Sequence, residues 1–244
     1  MKSLRSVGIE TFIPSLGRWE EAVTQKFLHP DDSVFVVRES GKDHYQGKGH
    51  TVVSYPDKEI SNLARTRQKI IDDCQSDMCL QLDDDISALY FRTQEVLVQM
   101  PPESWREELV RAFQLIRDLG IGMFSVYQMP GGDIRHYNKP FSCVGVSGAV
   151  IGYYKPNLKG RYDPNIDIKQ DTDFVLQELL VNRIILVVQY WAVDHDTDTN
   201  RGGQQIGKTS DKLYRNVEYI KAKWGEGVYD FNFDRNVTRF KVKR

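Results

Sequence analysis

Three consecutive aspartates, Asp83, Asp84 and Asp85, constrain this chain more than any other feature, because they directly follow the apolar segment 78–82. An apolar run of this length is typical of a buried strand. Adjacent carboxylates repel one another, and a divalent cation can hold them together because hard cations take oxygen ligands. Alternate residues of an extended segment point to the same side, so Asp83 and Asp85 can face one ion while Asp84 turns away or reaches another ligand. A solvated turn is the alternative, since aspartate is a common turn residue.

Composition sets limits on the class of protein. The 244 residues are 40% hydrophobic, which is enough for one large domain or two small ones, and the net charge of −1 excludes a global polycation for nucleic acid. Three cysteines form no CxxC pair, which favours reduced thiols in a cytosolic setting. The longest strongly apolar stretch, 184–188, is too short to span a bilayer, and the amino terminus does not resemble a signal peptide. We therefore expect a cytoplasmic protein without a membrane segment.

Hydrophobic periodicity predicts alternating strands and helices. Strands are expected at 7–13, 34–37, 51–54, 78–82, 121–127, 143–154 and 184–193, and helices at 19–27, 59–74, 103–120, 171–182 and 210–224, with a polar loop at 41–49. Fully apolar strands in this order fit a mainly parallel sheet covered on both faces, and such sheets bind ligands beyond the carboxyl ends of their strands. We predict one α/β domain over 1–244, with halves at about 1–100 and 101–205 and a carboxyl-terminal helix and basic tail over 206–244.

Two segments resemble the core of GT-A nucleotide-sugar transferases. They are the helical run Asn62-Leu63-Ala64-Arg65-Thr66-Arg67 and the strand with its aspartates, 80–85. The resemblance implies that Arg65 contacts the donor nucleotide, although Thr66 departs from the usual asparagine. It also implies that Thr11 and Asp84 contact the donor and that 1–100 is the nucleotide-sugar half. Without the resemblance, Arg65 and Arg67 are explained as solvated helix charges, which is the ordinary role of helix arginines.

A second block strengthens the resemblance. Ser147-Gly148-Ala149-Val150 precedes Arg161-Tyr162-Asp163-Pro164 and then Gln170-Asp171-Thr172-Asp173-Phe174, with Gln170 in place of the usual glutamate. The match implies that Asp171 is the catalytic base of an inverting reaction and that Ser147, Gly148 and Asp173 bind the acceptor. A carboxylate within hydrogen-bond reach can take the proton of an attacking hydroxyl. The alternative is that Asp171 or Asp173 caps a helix amino terminus, a frequent use of aspartate.

A third block follows the apolar strand that ends near residue 193. In GT-A enzymes a late histidine completes the metal site, which implies that His195 joins Asp83 and Asp85 around Mn²⁺ or Mg²⁺. Arg201, Gly202 and Gly203 suit a loop that closes over a diphosphate, where arginine offers bidentate contacts. A surface histidine and an exposed flexible loop are the alternatives.

The form of these motifs is most similar to the TET/JBP-associated glycosyltransferases, small phage and eukaryotic proteins related to the base J glucosyltransferase. The resemblance covers roughly residues 5–205. It implies a single-domain GT-A fold and transfer of a sugar, expected to be glucose, from a UDP-sugar to 5-hydroxymethylpyrimidine in DNA. It further implies a functional link to a TET/JBP-type oxygenase and, for a phage protein, a place in the host cytoplasm.

Other functions stay open from the sequence. The acceptor could instead be a glycan, a lipid or a small molecule, and the chain could be an inactive GT-A-like DNA-binding module or a two-metal nuclease. DNA binding would need local basic side chains and aromatic rings that stack on a flipped base. Candidates that are equally well explained as solvated charges and core aromatics are Lys42, Lys48, Arg135, His136, Lys139, Lys155, Lys159, Arg161, Tyr137, Phe141, Tyr153, Tyr154 and Tyr162, with Arg235, Arg239, Lys241, Lys243 and Arg244 in the tail.

Overall fold

A central mixed sheet flanked by helices organises the chain. The structure, a computed structural model, describes residues 2–93, 96–128, 139–145, 148–195, 209–234 and 236–241. The strands are β1 (Ile9–Pro14), β2 (Val34–Arg38), β3 (Thr51–Tyr55), β4 (Met78–Leu82), β5 (Ile86–Arg92), β6 (Leu97–Gln99), β7 (Met123–Gln128), β8 (Phe141–Ser142), β9 (Val150–Tyr154), β10 (Leu186–His195), β11 (Tyr229–Asn232) and β12 (Val237–Phe240). The helices are α1 (Lys42–Gly47), α2 (Leu63–Asp73), α3 (Pro102–Asp118), α4 (Gln170–Val181) and α5 (Ser210–Trp224).

The strand order of the main sheet is β3-β2-β1-β4-β9-β7-β10-β5-β6, and β8 pairs with β10. The neighbouring strands β3, β2, β1 and β4 are parallel, as are β7 and β10, whereas β9 runs antiparallel between β4 and β7. The carboxyl ends of β1, β2, β4, β7 and β10 therefore point to one edge of the sheet. This arrangement confirms the predicted mainly parallel mixed sheet.

Strand β4 is buried on both faces. Leu80 and Leu82 belong to the cluster beneath α3, which includes Trp105, while Cys79 belongs to the cluster beneath α4, which includes Phe174. Alternate residues of a strand point to opposite faces, so a strand covered on both sides needs apolar residues at nearly every position. The three aspartates therefore directly follow a strand that is packed on both faces.

The chain passes from β4 through the three aspartates directly into β5. Strand β5 pairs antiparallel with the carboxyl half of β10, and Ile86 lies opposite His195. The register shifts between Asp194 and His195, which is the mark of a β-bulge, and bulges re-aim side chains next to functional sites. The pairing brings the end of β10 to the aspartates.

Helix α2 begins where a side chain caps it. The Oδ1 atom of Asn62 accepts a hydrogen bond of 2.9 Å from the backbone N–H of Arg65, which satisfies one unpaired donor of the first turn. The helix buries Ala64, Ile70 and Ile71 against the sheet. It is therefore shorter than the predicted 59–74, because the residues before Asn62 lie outside the cap.

The helix predicted over 19–27 is wrong. This segment consists of turns and a short 3-10 helix at Thr24–Phe27. Two of its polar groups bond to the aspartate segment: the Val23 N–H donates to the Asp84 carbonyl at 2.9 Å, and Thr24 Oγ1 donates to the Asp83 carbonyl at 2.6 Å. The same Oγ1 accepts from the Ile86 N–H at 2.9 Å. The tertiary contact overrides the helical pattern.

Other differences concern short elements. The predicted loop over 41–49 contains α1, and the pairs β5–β6 and β11–β12 were not predicted because short strands carry little periodic signal. No helix within the described ranges combines the length and apolarity that crossing a membrane requires.

The close packing beneath the site is testable at Gly152. This residue lies on β9 opposite Phe124, and a Cβ atom there would overlap the Phe124 ring. We expect Gly152→Ala to lower the free energy of unfolding by about 1–3 kcal/mol, the usual cost of overpacking a core. A Cβ at Gly47, in α1, meets nothing within 4 Å, so Gly47→Ala is the matched control and should cost nothing. Urea unfolding measures both; equal midpoints for the two variants would contradict the packing described here.

Candidate active site

The structure brings together Asp83, Asp85 and His195, whose ligand atoms all lie within 4.8 Å of one another. His195 Nδ1 is 3.9 Å from Asp85 Oδ1, and this oxygen is buried without a hydrogen-bond partner in the described part of the chain. Burial and the neighbouring charge of Asp83 raise the pKa of Asp85. Carboxylate oxygens suit Mn²⁺ and Mg²⁺, an imidazole can add a nitrogen ligand, and a cation here would satisfy the unpaired oxygen. The residues therefore fit a divalent metal.

Arg18 is a site residue that the sequence did not indicate. Its Nη1 donates to Asp84 Oδ1 at 3.0 Å and to Asp85 Oδ2 at 2.8 Å. Ser15 Oγ donates to the other Asp84 oxygen, and Asp84 is only 4% exposed. Asp84 thus turns away from the cluster formed by Asp83, Asp85 and His195. Because protein donors occupy both of its oxygens, its placement argues against the predicted donor contact.

Arg67 is the helix arginine that reaches the aspartates. It is 1% exposed, and its Nη2 donates to Asp83 Oδ1 at 2.7 Å and to the Gly148 carbonyl at 2.9 Å. Burial opposes its charged form, but the carboxylates of Asp83 and Asp171 outweigh this effect and raise the pKa of Arg67. Arg65 lies two residues earlier, about 200° around the helix, and is exposed. The donor contact of Arg65 stays a prediction.

Asp171 lies in the first turn of α4 and is half-buried. No hydrogen bond or ion pair of its carboxylate is found among the described residues. Its charge acts on Arg67 and also, after burial, contributes to raising the pKa of Tyr162 to about 12. Asp171 and Asp83 therefore both lie near the Arg67 guanidinium. This leaves the Asp171 carboxylate available for a bound molecule.

Asp173 has a different position. It is fully buried, and it accepts hydrogen bonds from Trp224 Nε1 at 2.7 Å, Gln177 Nε2 at 2.9 Å and Lys223 Nζ at 3.0 Å. These contacts tie the end of α5 to the start of α4. The prediction that Asp173 binds the acceptor is therefore corrected, because a carboxylate without exposed surface and with both oxygens engaged holds two helices together.

For the remaining predicted site residues, the described contacts do not decide the predicted role. Gly148 lies beside Arg67 through its carbonyl, and its acceptor role stays a prediction. Thr11 is buried in the middle of β1 opposite Leu80, away from the strand end, and its hydroxyl has no partner within the described ranges. The donor contact of Thr11 stays a prediction. Outside the described residues lie Ser147, Arg201, Gly202 and Gly203.

A cavity opens beyond the carboxyl ends of β1 and β2. The rings of Trp19 and His44, on its wall, stack with centroids 4.3 Å apart and an interplanar angle of 14°. Ser15 and Tyr45 also line it, and their hydroxyl oxygens are 2.6 Å apart. Ser15 connects the cavity to Asp84. Part of the lining comes from the segments predicted as a helix and a loop, and the rest directly follows β1 or belongs to the end of β2 and the residues after it.

Comparison with solved structures identifies the fold class. The chain is similar to glucosyl-3-phosphoglycerate synthase from Mycobacterium tuberculosis in complex with phosphoglyceric acid, with a TM-score of 0.53 and 12% identity over 95% of this chain and 86% of that chain. A complex of the same synthase with Mn²⁺, UDP-glucose and phosphoglyceric acid gives a TM-score of 0.52 and 13% identity, with the same coverage. The likeness shows a GT-A fold.

The family follows from the sequence model of the TET-Associated Glycosyltransferases, which matches residues 9–203. The match covers most of the chain, which therefore belongs to this family and is a glycosyltransferase. No curated protein sequence matches the chain.

The two aspartates of α4 can be separated experimentally. We expect Asp173→Asn to lower the free energy of unfolding by about 2 kcal/mol, because it removes a buried charge that three donors share. Asp171→Asn is the matched control, and it should change stability by less than about 1 kcal/mol, since its carboxylate has no hydrogen bond among the described residues and loses only charge interactions with the helix dipole and Arg67. Urea unfolding distinguishes them. The reverse order of stability would restore Asp173 as a candidate for acceptor contact.

Proposed function

We propose that this glycosyltransferase moves a sugar, with glucose as the first candidate, from a UDP-sugar to the hydroxymethyl group of a 5-hydroxymethylpyrimidine in DNA. The reaction depends on Mn²⁺ or Mg²⁺ and inverts the anomeric centre. The proposal of a metal-dependent UDP-sugar site rests on the cluster of Asp83, Asp85 and His195, in which one Asp85 oxygen has no hydrogen-bond partner among the described residues. Membership of the TET-associated family supports the proposal that DNA is the acceptor.

The donor site combines this metal cluster with the cavity beside it. The stacked Trp19 and His44 rings offer an aromatic surface for a flat base, and the Ser15 and Tyr45 hydroxyls offer polar contacts. Ser15 bonds to Asp84, which is adjacent to both proposed metal ligands. A nucleotide with its base in the cavity therefore has its diphosphate directed toward the cluster. The Mn²⁺ and UDP-glucose in the synthase complex support this assignment.

The chemistry follows from the positions of the carboxylates. Asp83, Asp85 and His195 would hold the cation, which when bound neutralises charge on the leaving diphosphate. The Asp171 carboxylate accepts the proton of the acceptor hydroxyl as the hydroxyl oxygen bonds to the anomeric carbon and the bond to the diphosphate oxygen breaks. Arg67 lies near both Asp83 and Asp171, which connects the metal cluster to the proposed base.

The acceptor defines the biological setting that we propose. An oxygenase that hydroxylates the methyl group of a pyrimidine supplies such an acceptor, and it is the functional partner that we propose. A base in a duplex must be flipped to reach the site, at a cost of a few kcal/mol. The chain's net charge of −1 means that phosphate contacts come from local basic side chains and not from a general positive field. Action on phage DNA in a host cytoplasm fits this proposal.

Duplex oligonucleotides test the proposal directly. The protein is incubated with Mn²⁺ and UDP-glucose and with matched duplexes that contain 5-hydroxymethylcytosine, 5-hydroxymethyluracil or only unmodified bases. We expect a mass increase of one hexose on a hydroxymethylated strand alone. Asp85→Asn should abolish the transfer and weaken Mn²⁺ binding, whereas Asp118→Asn, an exposed carboxylate at the end of α3, should leave both unchanged. Hexose transfer to phosphoglyceric acid or a glycan, with none to DNA, would exclude the proposed acceptor.

Asp171→Asn tests the base. We expect a fall in kcat of about 10²–10⁴-fold, the usual contribution of general base catalysis, because asparagine cannot take the proton. The Kd for UDP should stay unchanged, since Asp171 contacts the acceptor and not the donor. Kinetics on hydroxymethylated duplex and calorimetry with UDP supply the two numbers. A variant with full kcat would remove Asp171 from the mechanism.

A further inference from the structure

The two proposed metal-binding carboxylates are each held by an arginine through one oxygen. Arg67 Nη2 binds Asp83 Oδ1 at 2.7 Å, and Arg18 Nη1 binds Asp85 Oδ2 at 2.8 Å. The other Asp85 oxygen then faces His195, 3.9 Å away. The two arginines come from different parts of the chain, α2 and the segment after β1. The arrangement fixes which oxygen of Asp85 faces the cluster.

Arg18 is itself held at two points. Its backbone N–H donates to the Tyr45 hydroxyl at 3.1 Å, and its Nη1 donates to Asp84 Oδ1 at 3.0 Å. Asp84 is fixed in turn by Ser15, whose hydroxyl also bonds to Tyr45. Arg18 and Asp84 are each less than a tenth exposed, so water competes little for these bonds. The guanidinium is therefore a rigid support for Asp85.

We propose that Arg18, held in place by Asp84, is a positioning residue of the metal site, which orients Asp85 so that its free oxygen meets the cation. This inference rests on the proposed metal dependence. Partners that orient metal-binding side chains from outside the ligand set contribute strongly to affinity. Asp84, the middle aspartate, then has a role other than metal binding. It holds Arg18, and Arg18 orients the metal ligand Asp85.

A purely electrostatic role of Arg18 and a positioning role predict opposite changes in Mn²⁺ affinity when Arg18 is removed. The three carboxylates carry a formal charge of −3, and Arg18 and Arg67 reduce it to −1. Loss of the Arg18 charge makes the site more negative, so a purely coulombic role would make Mn²⁺ bind more tightly in Arg18→Met. A positioning role makes it bind more weakly, because Asp85 becomes free to rotate. The sign of the change in Kd therefore separates the two.

The test is the Kd for Mn²⁺, measured by electron paramagnetic resonance of free Mn²⁺ with the full chain, alone and with saturating UDP. We expect Arg18→Met to raise this Kd by about 10–100-fold, the usual effect of losing an orienting partner. Arg18→Lys keeps a donor and a charge for both carboxylates and should lose less affinity. Arg117→Met is the control: it removes an exposed arginine that pairs with Asp118 at 3.0 Å, and should change nothing.

A second variant keeps the inference falsifiable if Arg18→Met fails to fold. Tyr45→Phe removes the hydroxyl that accepts from the Arg18 backbone N–H and bonds to Ser15, without changing the charge of the site, and it should raise the Kd for Mn²⁺ in the absence of nucleotide. The double variant should bind no more weakly than Arg18→Met, because both changes act through the position of Arg18.

Folded variants with the wild-type Kd, or a tighter one, would overturn the positioning role and leave the proposed function intact. A wild-type chain that binds no Mn²⁺ would instead overturn the metal dependence, and this inference with it.

Discussion

Repulsion among three adjacent carboxylates at the end of β4 is the constraint on which the rest of the site depends. Burial raises the pKa of Asp84 and Asp85, so the folded chain must supply opposite charge close by. It does so with Arg18 and Arg67, each within 3.0 Å of a carboxylate oxygen. Removing one partner of such a buried pair is costly, because the remaining charge is left uncompensated. The two arginines therefore stabilise the folded chain as well as the geometry of the site.

The backbone of the triplet is held as firmly as its side chains. The Asp83 N–H donates to the Ala149 carbonyl at 2.8 Å, and the Asp83 and Asp84 carbonyls accept from Thr24 and Val23. The segment over 19–27 forms turns and a short 3-10 helix, and two of its residues, Val23 and Thr24, support the backbone of the aspartates. The following pairing of β5 with β10 then places His195. Local structure, sheet topology and site geometry thus follow from the same few contacts.

The sequence was informative where function coincides with strand ends. Periodicity places Asp83 and Asp85 directly after an apolar strand, whereas the resemblance to GT-A enzymes pointed to His195, and the structure brings the three side chains together. Helical phase decided what periodicity could not: Arg65 and Arg67 are the same residue type two positions apart, yet only Arg67 faces the triplet. Arg18 was missed because a lone arginine in an irregular segment has no pattern, and its role comes from partners 66 and 67 residues away.

The formal charge of the site links cation and donor under the proposed function. Three carboxylates and two arginines sum to −1, and a divalent cation changes this to +1. A diphosphate is repelled by the first state and attracted by the second, while the cation gains further oxygen ligands from the phosphates. Each ligand therefore strengthens the binding of the other, and by linkage the effect is reciprocal.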